Sequence, residues 1–127
     1  LTLIEMDKFL HGPYNTECAL GKIAAEVATD EDTAKISQIL NAIVERSARY
    51  SAAILTACAI QTGAGKNNAQ PICILCDGTT FFKTYKIKER VNAYLDEVLT
   101  RQLGINWNIV SCDNDITLGT AIAGLID

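Results

Sequence analysis

The chain has 127 residues, 49% of them hydrophobic and 20% charged, with a net charge of −4. That balance describes a folded globular chain and excludes an intrinsically disordered one. The acidic excess argues against a dedicated binder of nucleic acid or anionic membrane, both of which call for a basic surface, and no run of about 18 apolar residues marks a transmembrane helix.

The length suits one modest domain or part of a larger one. No signal peptide is visible, and the chain opens on Leu1. The absent initiator methionine leads us to expect a fragment, a processed product or a trimmed chain.

Taken in order, Met6, Phe9 and Leu10 have the spacing of one or two helical turns, stopped by Gly12-Pro13. His11, the only histidine, sits at that stop with no acid or nucleophile to work with, so a surface or capping role is expected. Leu20, Ile23, Ala24 and Val27 predict a short helix over 17–28, weakened by Gly21. Thr29 followed by Asp32 is a capping box. It opens a long helix over about 32–62, in which Ile36, Ile39, Leu40, Ile43, Val44, Tyr50, Ile54, Leu55 and Cys58 track the helical period. From Tyr50 to Ile60 no charged residue occurs, so this half is expected to be buried on most sides. At ~1.5 Å per residue the helix would run roughly 45 Å, more than so short a chain can cover.

Gly63-Ala64-Gly65-Lys66 ends the helix. The string superficially looks like a phosphate loop. However, it follows a helix, precedes a strand and lacks the G-x-x-x-x-G-K-[ST] spacing, so a plain loop is expected.

Ile72–Cys76 is an apolar strand that ends in Asp77-Gly78-Thr79-Thr80. Phe81 and Phe82 suggest a second short extended piece. Ile87, Val91, Tyr94, Leu95, Val98, Leu99 and Leu103 predict the inner face of an amphipathic helix over 86–103, with Gly104 at its C-terminal cap. Trp107–Cys112 is a second strand, stopped by Asp113-Asn114-Asp115, and 117–126 is a last helix rich in small residues. A helix between the strands makes a βαβ unit, hence a parallel, right-handed pair. Two strands alone make no stable sheet, so further protein is expected upstream.

The five cysteines, at 18, 58, 73, 76 and 112, lie mostly in apolar runs and are expected to be buried, reduced thiols of a cytoplasmic protein. Cys73 and Cys76 spell C-x-x-C, but an i, i+3 pair on a strand points to opposite faces, and no second pair or spaced histidine completes a metal site.

Parallel strands put the Asp77–Thr80 and Asp113–Asp115 turns at one end of the sheet, beside the amino ends of the following helices. That is where α/β sheets bind ligands, and where free N–H groups suit ribose and phosphate oxygens. On the residues alone the plainer reading is favoured, in which Asp77-Gly78-Thr79-Thr80 is an ordinary turn capped by its own hydroxyls.

The apolar strand running into Asp77-Gly78-Thr79-Thr80-Phe81-Phe82-Lys83 and then a basic amphipathic helix resembles the carboxyl-terminal region of hexokinases, which carry D-G-[ST]-x-(aromatic)-K. The run Ile43-Val44-Glu45-Arg46-Ser47-Ala48-Arg49-Tyr50-Ser51-Ala52-Ala53 is similar to that family's V-x-x-R-A-A-x-L-x-A helix. Cys112 to Ala121 resembles its acidic turn and glycine-containing entry to the final helix, and Thr2–Pro13 its adenosine-side loop and helix.

The resemblance covers essentially the whole chain. It implies that residues 1–127 are the carboxyl-terminal portion of a hexokinase large domain, an α/β piece of a ribonuclease-H-like, actin-like ATPase fold whose early antiparallel strands lie upstream. It further implies an enzyme that moves the γ-phosphoryl group of ATP, with Mg²⁺, to the 6-hydroxyl of glucose or a related hexose. Asp77, Gly78, Thr79, Thr80, Asp113 and Thr2 would lie on the nucleotide side, and Lys83 matches the family's lysine.

The sequence departs from the pattern in two places. Thr80-Phe81-Phe82 is one residue longer than in many members, and the glycine-rich run before the last helix is reduced to Gly119. In the family the catalytic aspartate, both phosphate loops and the sugar-binding acids lie upstream, so no catalytic residue is assigned here, and the piece alone is expected to be inactive. Another sugar or acetate kinase of the actin-like superfamily, or a non-catalytic nucleotide-binding module, are the alternatives. An exposed sheet edge and apolar helix face also lead us to expect self-association.

Overall fold

Residue placement comes from a computed structural model, which describes residues 1–111, 119–122 and 125. The helices are α1 (Leu3–His11), α2 (Ala19–Val27), α3 (Asp30–Thr62), α4 (Thr79–Lys83) and α5 (Ile87–Leu95), the last continued by a π-helical segment, Asp96–Gln102. The strands are β1 (Ile72–Leu75) and β2 (Trp107–Val110). They pair in parallel with Ile72 opposite Trp107 and Leu75 opposite Val110, as a helical crossover requires.

Each long element has a local reason. Thr29 and Asp32 form the reciprocal capping box that starts α3, and Asp30, Glu31 and Asp32 place negative charge at the positive end of its dipole. Thr2 caps α1 by accepting from the Glu5 N–H at 3.3 Å. The loop at Gly65 is tied down structurally. Its carbonyl accepts from the backbone N–H of Asn106 at 2.8 Å and from Asn106 Nδ2 at 2.9 Å, so it anchors the start of β2.

The described residues form two cores. One joins Ala48, Ala52 and Ala59 of α3 to Ile74, Val91, Leu95, Leu99 and Ile105. Alanines on α3 let α5 approach closely, and Leu95 and Leu99 fill the space. The other gathers Phe9, Cys18, Ala24 and Leu40, fastening α1 and α2 to the first half of α3.

Glu45 is the polar pin between α3 and α5. It accepts from the Tyr94 hydroxyl and from Arg49 Nε at 2.9 Å, and Arg90 Nη1 lies 3.3 Å from it. These bonds hold its carboxyl below the usual carboxylate range, the Tyr94 hydroxyl most of all.

Several expectations are corrected. The second half of α3 is buried along one stripe only: Tyr50 is 59% and Ile54 64% exposed, because a helix packed on one side, here against α5, leaves the other open. Phe81 and Phe82 are not extended. They lie in α4, where Phe81 packs onto the core and the two rings meet edge to face at 5.1 Å. The helix predicted over 86–103 changes period at Asp96. The Leu103 N–H reaches the Val98 carbonyl five residues back, and Leu103 ends up 47% exposed although its spacing pointed inward. Arg101 and Asp96, five apart, pair at 3.0 Å on that wider turn.

Among the described cysteines Cys18 is buried, but Cys58 and Cys73 are exposed. Cys76 is partly buried against the core, which pushes its thiol pKa up. The cysteines of the C-x-x-C string thus sit in different surroundings, one open and one core-facing. Among the described residues no helix is long and apolar enough to cross a membrane.

Candidate functional site

The chain leaves β1 through Cys76, whose N–H donates to the Val110 carbonyl at 2.9 Å. Asp77 then turns the backbone, its Oδ1 accepting from the Gly78 N–H at 2.6 Å. Gly78 adopts φ +92°, ψ 154°, a conformation that L side chains rarely adopt. The reversal it permits starts α4 at once, and Thr79 and Thr80 fall in its exposed first turn.

Facing them is the start of α1. Leu3, Ile4 and Asp7 recur at the i, i+3, i+4 spacing that puts side chains on one helix face. With Thr79, Thr80, Lys83 and Thr84 they line a cleft of about 210 Å³. Thr2 stands directly before this face as the α1 cap. The two walls are held together by Asp7, whose Oδ1 accepts from the backbone N–H of Tyr85 at 2.7 Å. A carboxylate acceptor makes this a charge-assisted bond of the stronger kind.

The structure thus gathers Thr79 and Thr80 with the segment that follows Thr2. Asp77 and Gly78 lie on the approach to this cleft and do not line it. Asp113 and the rest of its turn lie outside the described residues, as do residues 117, 118, 123, 124 and 126 of the helix predicted over 117–126, of which 119–122 are helical. Asp7 and Thr84 escaped the sequence reading, although the 3, 4, 7 spacing was available to mark one face of α1. His11 is not part of the cleft. Its Nδ1 donates to the Asp7 carbonyl at 2.9 Å and its ring meets Tyr85 edge to face, the expected capping role, but an acid does stand beside it: Asp7 Oδ1 lies 3.5 Å from the same nitrogen.

A cleft of this size is below the roughly 300 Å³ usual for small-molecule sites and suits part of a ligand. It offers hydroxyls, one ammonium and one carboxylate beside an apolar wall of Leu3 and Ile4. Among the described residues no group of three or more His, Cys, Asp or Glu side chains is placed to hold a metal ion.

A family model described as Hexokinase matches residues 2–126. The chain belongs to the hexokinase family. No curated protein and no solved structure matches it. Membership makes this a chain of a carbohydrate-phosphorylating kinase family, and the mainly helical α/β architecture with a parallel two-stranded sheet is consistent with the carboxyl-terminal region of a hexokinase.

Proposed function

We propose that residues 1–127 form the nucleotide-side portion of a hexokinase, within a ribonuclease-H-like, actin-like large domain. The complete enzyme transfers the γ-phosphoryl group of ATP, bound with Mg²⁺, to the 6-hydroxyl of glucose or a related hexose. What supports this reading is the cleft itself. The two segments that the resemblance puts on the nucleotide side, 2–13 and 77–83, are 64 residues or more apart in the chain, yet Leu3, Ile4 and Asp7 line one cleft with Thr79, Thr80 and Lys83.

Thr79 and Thr80 offer hydroxyls to ribose or phosphate oxygens, Lys83 a cation to a phosphate, and Leu3 and Ile4 an apolar surface to the base. Gly78 keeps the approach free of a side chain, and Asp113 and Thr2 complete the nucleotide side. ATP supplies the transferable group, with Mg²⁺ carried on its phosphates as is usual for this ion. Asp7 is committed to the Tyr85 N–H, and no acid here is assigned as the base. That role and the hexose site belong to other parts of the enzyme. The exposed stripe of Ile39, Ile43, Tyr50 and Ile54 on α3 supports packing against further protein, whether the rest of that domain or a second copy.

The test is a coupled assay on the complete gene product. Hexose-dependent formation of ADP is expected, and ATP turnover indifferent to hexose overturns the reading. For the chain alone, ATP is expected to shift the backbone amide resonances of 2–7 and 79–84.

A further inference from the structure

A second cleft, of about 490 Å³, is lined by residues of α1, α3 and α5 and by Tyr85, whose N–H is the one bonded to Asp7. Its polar lining is Ser37, Gln38, Asn41, Tyr85, Lys86 and Arg90. Among the described residues no carboxylate lines it, in a chain whose net charge is −4.

The donors are sorted by bonds already made. Arg90 donates from Nη1 to the Asn41 carbonyl at 3.2 Å and from Nη2 to Asn41 Oδ1. Glu45 lies behind it, 3.3 Å from Nη1, so Arg90 is fixed and its charge largely balanced. Because Asn41 Oδ1 is taken by Arg90, the two N–H groups of Asn41 Nδ2 are left as donors. Lys86 has no carboxylate partner among the described residues. Its ammonium is 5.1 Å from the Tyr85 ring centroid, a cation–π contact at the cleft wall.

Lys86 is also the one non-glycine residue at positive φ among those described, at φ 52°, ψ 18°. Left-handed backbone at a side chain this long is costly, and glycine or asparagine would hold the same turn more cheaply. The residue present is instead a cation, in the lining of a cleft whose other polar side chains are amides, hydroxyls and the paired Arg90.

We propose that this second cleft binds a phosphate-type oxyanion, free or as a phosphomonoester, with Lys86 as its principal charge. Ammonium, amide N–H and hydroxyl groups converging without an opposing acid are the complement of a tetrahedral dianion. The site differs from the nucleotide-facing cleft and does not depend on it. The two clefts draw on neighbouring residues: Asp7 of α1 and Lys83–Thr84 line the first, and Leu10 of α1 and Tyr85–Lys86 line the second. An anion held here would therefore bear on the strut that sets the width of the first cleft.

The test is a ¹H–¹⁵N NMR titration of the whole chain at constant ionic strength, once with inorganic phosphate and once with phenyl phosphate. Saturable shifts of the Gln38, Asn41, Tyr85 and Lys86 amides are expected, and tighter binding of phenyl phosphate marks an ester as the preferred source. Lys86→Ala is expected to weaken binding roughly ten-fold, the loss of one charge-assisted contact, and Lys66→Ala in the exposed loop to leave it unchanged. Lys86→Gly removes the ammonium while relieving the backbone, so it is expected to raise the Tm and still lose the anion. Non-saturating shifts, shifts elsewhere only, or unchanged affinity in Lys86→Gly would each overturn the proposal.

Discussion

Asp7 Oδ1 accepts the backbone N–H of Tyr85 at 2.7 Å, joining residues 78 positions apart. This bond fixes α1 against the segment after α4 and joins a residue that lines the first cleft to one that lines the second. Asp7→Ala leaves a part-buried N–H unpaired and is expected to cost about 1–3 kcal/mol, read as a lower urea midpoint with an unchanged slope. Asp7→Asn keeps an acceptor oxygen and should lose less than half as much. Equal losses would show that the acceptor is not what matters.

Gly78 is a matter of backbone and not of space. Its φ is +92°, yet a Cβ built on it meets nothing within 4 Å. Gly78→Ala and Gly78→Val should therefore cost similar amounts, about 1–3 kcal/mol of strain, with no added penalty for the larger side chain. In the complete enzyme Gly78→Val is expected to raise the KM for ATP and leave that for hexose nearly unchanged.

Gly21 is the opposite case. It is buried, and a Cβ there would stand 2.0 Å from the Asn15 carbonyl oxygen. Gly21→Ala must push α2 away from the 12–15 turn and disturb the cluster of Phe9, Cys18, Ala24 and Leu40. A loss of about 3 kcal/mol is expected. Amide exchange should quicken in α1 and α2 before it does in α5.

The Glu45 pin predicts a pH dependence. The folded carboxyl titrates below its ordinary 4.5, because Tyr94, then Arg49, bonds the ionised form. Its stabilisation is complete above that ordinary value and is lost as pH falls through the lower folded value. Tyr94→Phe removes the largest cause, so it should lower stability at pH 7 and flatten the loss below about pH 4.5. Asp32, depressed in the same sense by Thr29, titrates alongside. Glu45→Gln isolates the difference, and an unchanged acid limb in Glu45→Gln would rule out the pin as its source.

Thiol reagents should separate the cysteines by surroundings. Cys58 and Cys73 are exposed and should be labelled in the folded state. Cys18 is buried and Cys76 has a thiol pKa raised by burial, so both should wait for unfolding. Peptide mapping after brief alkylation reads this directly.

Much of the architecture was legible in the residues. The capping box of Thr29 and Asp32, the stripe through Leu40 and Val44, and the βαβ order of Ile72–Leu75, Ile87–Leu95 and Trp107–Val110 all rest on local spacing. Where the sequence reading departed from the structure, a non-local contact decided. Phe81 joins a helix because the core is there to receive it. Leu103 is exposed because a π turn rotated it out of the period of Leu95 and Leu99. Of the residues lining the first cleft, Thr79 and Thr80 were marked by motif, whereas Asp7 was not, since its partner is a backbone N–H that no sequence pattern records.

The sequence by itself determined α1, α2, α3 and the start of α5, the parallel strand pair and membership of the hexokinase family, because periodicity, caps and motifs act over a few residues and survive without tertiary context. Only the tertiary structure decided that the wall facing Thr79 and Thr80 is the first turn of α1, that Arg90 is balanced by Glu45 while Lys86 stands without a carboxylate partner, and that two clefts share one strut. The physical reason is that packing sets which distant side chains meet, and charge and hydrogen-bond complementarity exist only once they have met.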